Sequence, residues 1–297
     1  MKRFALTTST LLSAALLAAC SASKNEEPEP ASAPATSTQT ATPEPPLHYV
    51  ALGDSYAAMG SESAPTTGPG PCVRSADNYP SVVLEDPNIE GVDASCSGAQ
   101  SRHIIHDWAN GTNIPAQANS LRPDTDLVSL SIGGNDTNFG AISRCLYGKL
   151  SEDADPSCES ELGAVTDREQ QSLPVKLDAV YEEIARRSPD ARIIATGYFT
   201  MLEPDVQCSE SGAISHADSV WSIDVTHRIN EIVSDAASRH NAQYVLPADA
   251  DQHTACVSPD QRWVNILGDQ TDSYPMHPTA AGQKAMGTAV LAAVHQG

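Results

Sequence analysis

The chain has 297 residues, with 38 acidic against 17 basic side chains and a formal net charge of −21. That balance excludes a nucleic-acid surface, which needs a concentrated basic face to meet phosphates. It favours solubility and names no substrate.

Lys2 and Arg3 precede an apolar run from Leu11 to Ala19. The run is too short for a membrane span and has the layout of a secretory signal, so residues 1–19 are expected to be removed. The segment closes on Leu17-Ala18-Ala19-Cys20, which resembles the bacterial lipobox and implies lipidation of Cys20. Residues 20–46 follow as a tether in which Pro28, Pro30, Pro34, Pro43, Pro45 and Pro46 lie among Ala, Ser, Thr and Glu. Such a composition cannot bury a core. Residues 47–297 are then one full-sized domain on a lipid-anchored, exported chain.

With Cys20 set aside, Cys72, Cys96, Cys145, Cys158, Cys208 and Cys256 remain. An even number in an exported chain suggests three disulfides, and of the fifteen possible pairings the expected one joins sequence neighbours: Cys72-Cys96, Cys145-Cys158 and Cys208-Cys256. No Cys-x-x-Cys pair is present, so no metal site is expected.

Strand-like and helix-like runs alternate through the domain, which predicts a three-layer α/β/α sandwich with a mainly parallel sheet. Tyr49 to Leu52 is the opening strand and ends in Gly53-Asp54-Ser55. A helix around Val82-Val83-Leu84 follows a Gly/Pro-rich loop, and Val92 to Ser95 is a second strand ending near Gly98. Ser101 to Trp108 reads as a helix whose His103 and His106 share a face, with no third metal ligand nearby. Asp126 to Ile132 is apolar enough to be a central strand and stops at Gly133-Gly134-Asn135-Asp136. Leu173 to Arg187 has helical periodicity. Arg192 to Thr196 is a strand, Trp221 to Ala236 marks a long helix, and Gln243 to Leu246 is the last strand. Thr279 to Val294 closes the chain as a helix.

Parallel strands deliver their carboxyl ends to one edge, where open α/β sheets keep their ligands. There the chain offers Ser55, Gly98, Asn135 and, just before the last helix, His277. A serine nucleophile needs a base for its proton and donors for the oxyanion, and these residue types supply both. Gly53-Asp54-Ser55, Gly98, Gly133-Gly134-Asn135-Asp136 and His277-Pro278, in this order, resemble the SGNH hydrolase superfamily, the GDSL esterases and lipases. The cysteines and the run from Pro71 to Tyr79 are similar to those of disulfide-containing secreted actinobacterial members.

The resemblance implies a flavodoxin-like fold and an acyl-enzyme esterase or lipase without cofactor. Ser55 would be the nucleophile and His277 the base, with the Ser55 and Gly98 backbone N–H groups and the Asn135 amide as oxyanion donors. It departs from the pattern at the third triad member, because Tyr274 stands three residues before His277 where many members carry an aspartate. A backbone carbonyl orients the imidazole in related secreted esterases, so the Tyr274 carbonyl is expected here, with Asp272 as the fallback. Asp54 and Asp136 are expected to pin their loops. The anticipated substrate is a small-molecule or lipid ester reached by a membrane-tethered monomer. A sugar or envelope-glycan deacetylase of the same fold and a non-catalytic surface binding protein are the competing readings. An α/β-hydrolase elbow is disfavoured because Ala57 replaces its final glycine.

Overall fold

A computed structural model describes residues 45–109, 112–151, 156–204 and 207–296. The expected signal segment, Cys20 and nearly all of the tether lie outside these residues.

Strand β1 (Leu47–Gly53) pairs in parallel with β2 (Ile89–Asp93) on one side and β3 (Leu127–Ser131) on the other. Beyond β3 come β4 (Arg192–Thr196) and β5 (Gln243–Val245), giving the order β2-β1-β3-β4-β5 with every pairing parallel. All five residues of β3 are buried, Ser129 and Ser131 included, as a central strand covered on both faces must be.

The order fixes the layers. The step from β1 to β2 runs one way and every later step the other, and parallel crossovers are right-handed, so the intervening helices fall on opposite faces. Helix α2 (Tyr79–Val83) packs with the closing helix α7 (Ala280–Gln296). Helix α5 (Cys158–Arg187) packs with α3 (Ser101–Ile105) and α6 (His216–Arg239). Two short helices at the rim complete the set, α1 (Ser55–Ala58) and α4 (Phe139–Gly148).

Several boundaries differ from the sequence expectation, three of them instructively. The second strand begins at Ile89 rather than Val92, yet its extended pairing reaches further, because the Ala94 and Cys96 N–H groups donate to Ala51 and Gly53 carbonyls at 2.8 and 3.0 Å. Helix α3 stops at Ile105 instead of Trp108, which lies in a short antiparallel ribbon with Ile114. Helix α5 starts at Cys158, not Leu173, and continues through Pro174. Ser157 caps it by accepting from the Ser160 N–H, and Cys158, Thr166 and Gln170 are buried along the turns whose mixed polarity hid the helix.

Three disulfides join Cys72 to Cys96, Cys145 to Cys158 and Cys208 to Cys256. Each braces a segment at or next to the edge where the strands end.

Candidate active site

Gly53 ends β1 between two fixed points. Its N–H donates to Gln117 Oε1 at 2.7 Å and its carbonyl accepts from Gln117 Nε2 at 2.8 Å. The next N–H, from Asp54, donates to the Ser131 carbonyl at 2.9 Å, tying the turn to β3. Asp54 then caps α1, its Oδ1 accepting from the Tyr56 N–H at 2.9 Å. Ser55 is the first residue of α1 and is largely buried.

Asp54 itself is 1% exposed, and burial pushes its carboxyl up from 3.8 to about 7, with the bonds from Tyr198 and Tyr56 opposing the shift. Tyr198 follows β4, and its Oη donates to Asp54 Oδ2 at 2.7 Å while accepting from the Gly134 N–H at 2.9 Å. One phenol thus holds the serine turn and the glycine turn after β3 together. Its main chain is held in turn by Asn230, whose amide accepts from the Tyr198 N–H at 2.7 Å and donates to the Tyr198 carbonyl at 2.9 Å. Gly134 has to be bare: a Cβ there would stand 2.6 Å from the Phe139 ring and 3.1 Å from that of Tyr198.

Asn135 opens the turn that follows. One of its amide N–H bonds goes to the Ala99 carbonyl at 3.0 Å, and Gln100 Nε2 donates to the Asn135 carbonyl at 2.9 Å. Asp136 accepts from the Ser101 N–H and hydroxyl at 2.8 and 2.7 Å, so it ties its loop to α3. Gly98 is exposed with φ +77°, a left-handed conformation that a side chain would resist. His103 stacks on Trp108 with ring centroids 4.2 Å apart, and desolvation lowers it to about 4; its neighbour His106 is exposed.

His277 is placed by a turn. The His277 N–H donates to the Tyr274 carbonyl at 3.2 Å, with Pro275 and Met276 between them and Met276 at φ +62°. This is the pattern of a type II turn, with proline at the second position and a positive φ at the third. The Tyr274 carbonyl is taken by that backbone bond. It is the Pro275 carbonyl, not that of Tyr274, that meets the ring, at 2.7 Å from His277 Nδ1.

The fallback carboxylate is also elsewhere. Asp272 accepts from the Ser63 hydroxyl, and its carbonyl accepts from the Glu62 N–H at 2.8 Å, so it ties the histidine loop to the segment after α1. A carbonyl can only accept, so Nδ1 carries the ring proton and Nε2 presents a lone pair. Desolvation lowers the pKa of His277 below its usual 6.5, against an opposing push from Pro275, which keeps the imidazole neutral and able to take a proton.

Ser55, Asn135 and His277 line one cavity of about 300 Å³. Its walls are mostly apolar: Tyr56, Phe139, Tyr147, Tyr198, Met201 and Met276. Among the described residues no hydrogen bond joins Ser55 to His277 directly; Tyr56 lies next to the imidazole with ring centroids 5.8 Å apart. Gly98 is not among the lining residues; its neighbour Ala99 is the one bonded to Asn135. Gln117, Tyr198, Asn230 and Gln283 were not marked by the sequence. Gln283 on α7 accepts from the Tyr79 N–H at 2.8 Å and donates to the Tyr56 carbonyl at 2.9 Å, so α7 holds both α1 and α2.

The fold and this edge define an ester hydrolase of the α/β/α class. Residues 51–285 match the GDSL-like Lipase/Acylhydrolase family, and the chain belongs to it. It is 33% identical to Lipase 2 of Streptomyces coelicolor over 251 residues, covering 82% of this chain and 84% of that one. An extracellular lipase from Streptomyces rimosus, solved as a crystal structure, superposes with a TM-score of 0.69 at 26% identity, over 83% of this chain and 99% of the other. The phospholipase A1 of Streptomyces albidoflavus shares the fold, with a TM-score of 0.65 at 24% identity, over 84% of this chain and 99% of its own.

Proposed function

We propose that the protein cleaves carboxylic esters through an acyl-enzyme formed on Ser55. His277 Nε2 takes the hydroxyl proton as Ser55 Oγ attacks the ester carbonyl, and the same proton goes to the departing alcohol. A water molecule, deprotonated by the same nitrogen, then releases the acid. The tetrahedral oxyanion is held by the Ser55 and Gly98 backbone N–H groups and by the second Asn135 amide N–H, the first being bonded to Ala99. The observation that carries this reading is the imidazole of His277, held through Nδ1 by the Pro275 carbonyl in the cavity that Ser55 and Asn135 also line.

A carbonyl sets the tautomer, though it stabilises the imidazolium less than a carboxylate would. His277 and Ser55 therefore act as a dyad with Pro275 in support. The apolar walls suit an acyl chain better than a hydrated sugar, which favours a lipase or esterase over a glycan deacetylase. Three disulfides fit an exported protein, and we further propose that Cys20 carries the lipid that keeps the enzyme at the membrane.

The test is hydrolysis of p-nitrophenyl acetate and longer acyl esters, wild type beside Ser55→Ala. Wild type should release p-nitrophenol with a burst, and the variant should fall by several decades. Equal rates in both would remove Ser55 as the nucleophile, and no activity in either would favour a binding protein. Cys20→Ala should move the protein from the membrane to the soluble fraction; membrane retention by that variant would exclude the anchor.

A further inference from the structure

Besides Asp54, which pins the serine turn, the cavity carries one charged side chain that the ester chemistry does not use, that of Arg144. One face of α4 forms a wall through Phe139, Gly140, Ser143, Arg144 and Tyr147, spaced as a helix spaces neighbours on one side. Arg144 is exposed and has no acidic partner among the described residues. Seven of the eleven described arginines hold an aspartate or glutamate; of the four that do not, Arg102, Arg144, Arg168 and Arg192, only Arg144 lines this cavity. Arg144 also folds back along its helix, as helical side chains lie over the preceding turn. Its Nη1 is 3.5 Å from where a Cβ on Gly140 would stand. That turn follows directly on the one that begins at Asn135. The Arg144 guanidinium therefore sits on an otherwise apolar wall, on the side of the candidate oxyanion donor.

A guanidinium with no acidic partner among the described residues, beside an acyl-sized apolar cavity, asks for an amphiphile with a negative charge. The planar fork binds two oxygens of an oxyacid at once, where an ammonium would act only as a point charge. We propose that Arg144 is a specificity-determining residue that selects esters bearing an anionic oxyacid group, a phosphodiester or a carboxylate, near the scissile bond. This rests on the reading of Ser55 and His277 given above.

The experiment compares wild type, Arg144→Gln and Arg144→Lys on two matched pairs. In one, mono-p-nitrophenyl glutarate is set against p-nitrophenyl butyrate, placing the charge on the acyl side. In the other, phosphatidylglycerol is set against diacylglycerol with the same chains, both in neutral detergent micelles, placing the charge on the alcohol side. The quantity read is the ratio of kcat/KM, anionic over neutral, within a pair. Arg144→Gln should lower it about tenfold in at least one pair, mainly through KM, with Arg144→Lys between the two, and the pair that responds locates the anion. A ratio unchanged within twofold in both pairs overturns the proposal. Failure of the underlying reading shows separately, as neutral-ester hydrolysis that survives Ser55→Ala.

Discussion

At the scale of the residue, Tyr198 and Asp54 set the conditions under which Ser55 is presented. Tyr198→Phe strands the Gly134 N–H and an oxygen of Asp54 in the interior, and each unsatisfied buried group costs about 1–3 kcal/mol. Urea unfolding should show a loss in that range or somewhat above it, and kcat should fall more than KM rises because no lining shape is removed. Asp54 makes a second prediction. Its native pKa of about 7 lies above the ordinary 3.8, so the native state holds a proton that the unfolded chain has released. Stability is therefore highest below the ordinary value and is lost as pH rises through about 7. Melting temperature should decline across that window, and Asp54→Asn should flatten the decline. Activity follows a different group: with His277 lowered, the acid limb of kcat/KM is expected below 6.5. A limb near 7 would point to Asp54 instead. The bond from Asp54 to its own loop was expected from the chain, but its partners were not, since Tyr198 and Asp54 are 144 positions apart and Gln117 and Gly53 are 64 apart. The choice of Pro275 over Tyr274 was equally hidden, because it follows from the positive φ at Met276 and not from any residue type.

At the scale of the element, the strands and the turns after them were legible because buried parallel strands are continuous apolar runs stopped by glycine. The largely apolar stretch Leu127 to Ile132, stopped by Gly133-Gly134, is the clearest case even with Ser129 and Ser131 in it, and it brings Asn135 to the edge where the strands end. Helix α5 was half legible: Leu173 to Ile184 has the period, whereas the first four turns bury Thr166 and Gln170, which a hydrophobic pattern does not register. The packing of Gly134 makes a sharp prediction here. Gly134→Ala forces a methyl against Phe139, and overpacking of this kind costs about 1–3 kcal/mol. Because Phe139 opens α4 and Tyr198 spans the site, turnover should drop with stability, measured on the same sample. The Cys145–Cys158 bridge ties α4 to the first residue of α5 across a separation of 13. Closing so short a loop contributes about 3 kcal/mol. Replacing both cysteines by serine should remove that much in denaturant titration. It should also raise KM for long acyl esters more than for acetate, since α4 is the wall that a long chain meets.

At the scale of the whole molecule, composition excluded a nucleic-acid partner, and the order of four short blocks pointed to the family, whereas the shape of the cavity needed the structure. The five-stranded sheet is a single parallel layer, and the cystines gather around the edge where its strands end. Cys96 is two residues before Gly98, Cys145 adjoins Arg144, and the Cys208–Cys256 link joins two segments close to Met201, whose carbonyl accepts from the Ala255 N–H at 2.9 Å. Mild reduction is therefore expected to lower kcat/KM while far-UV circular dichroism changes little. The covalent ties therefore act on the rim that shapes the cavity rather than on the strands, so that the state of six sulfur atoms, more than that of the sheet, is expected to set how well the site is formed.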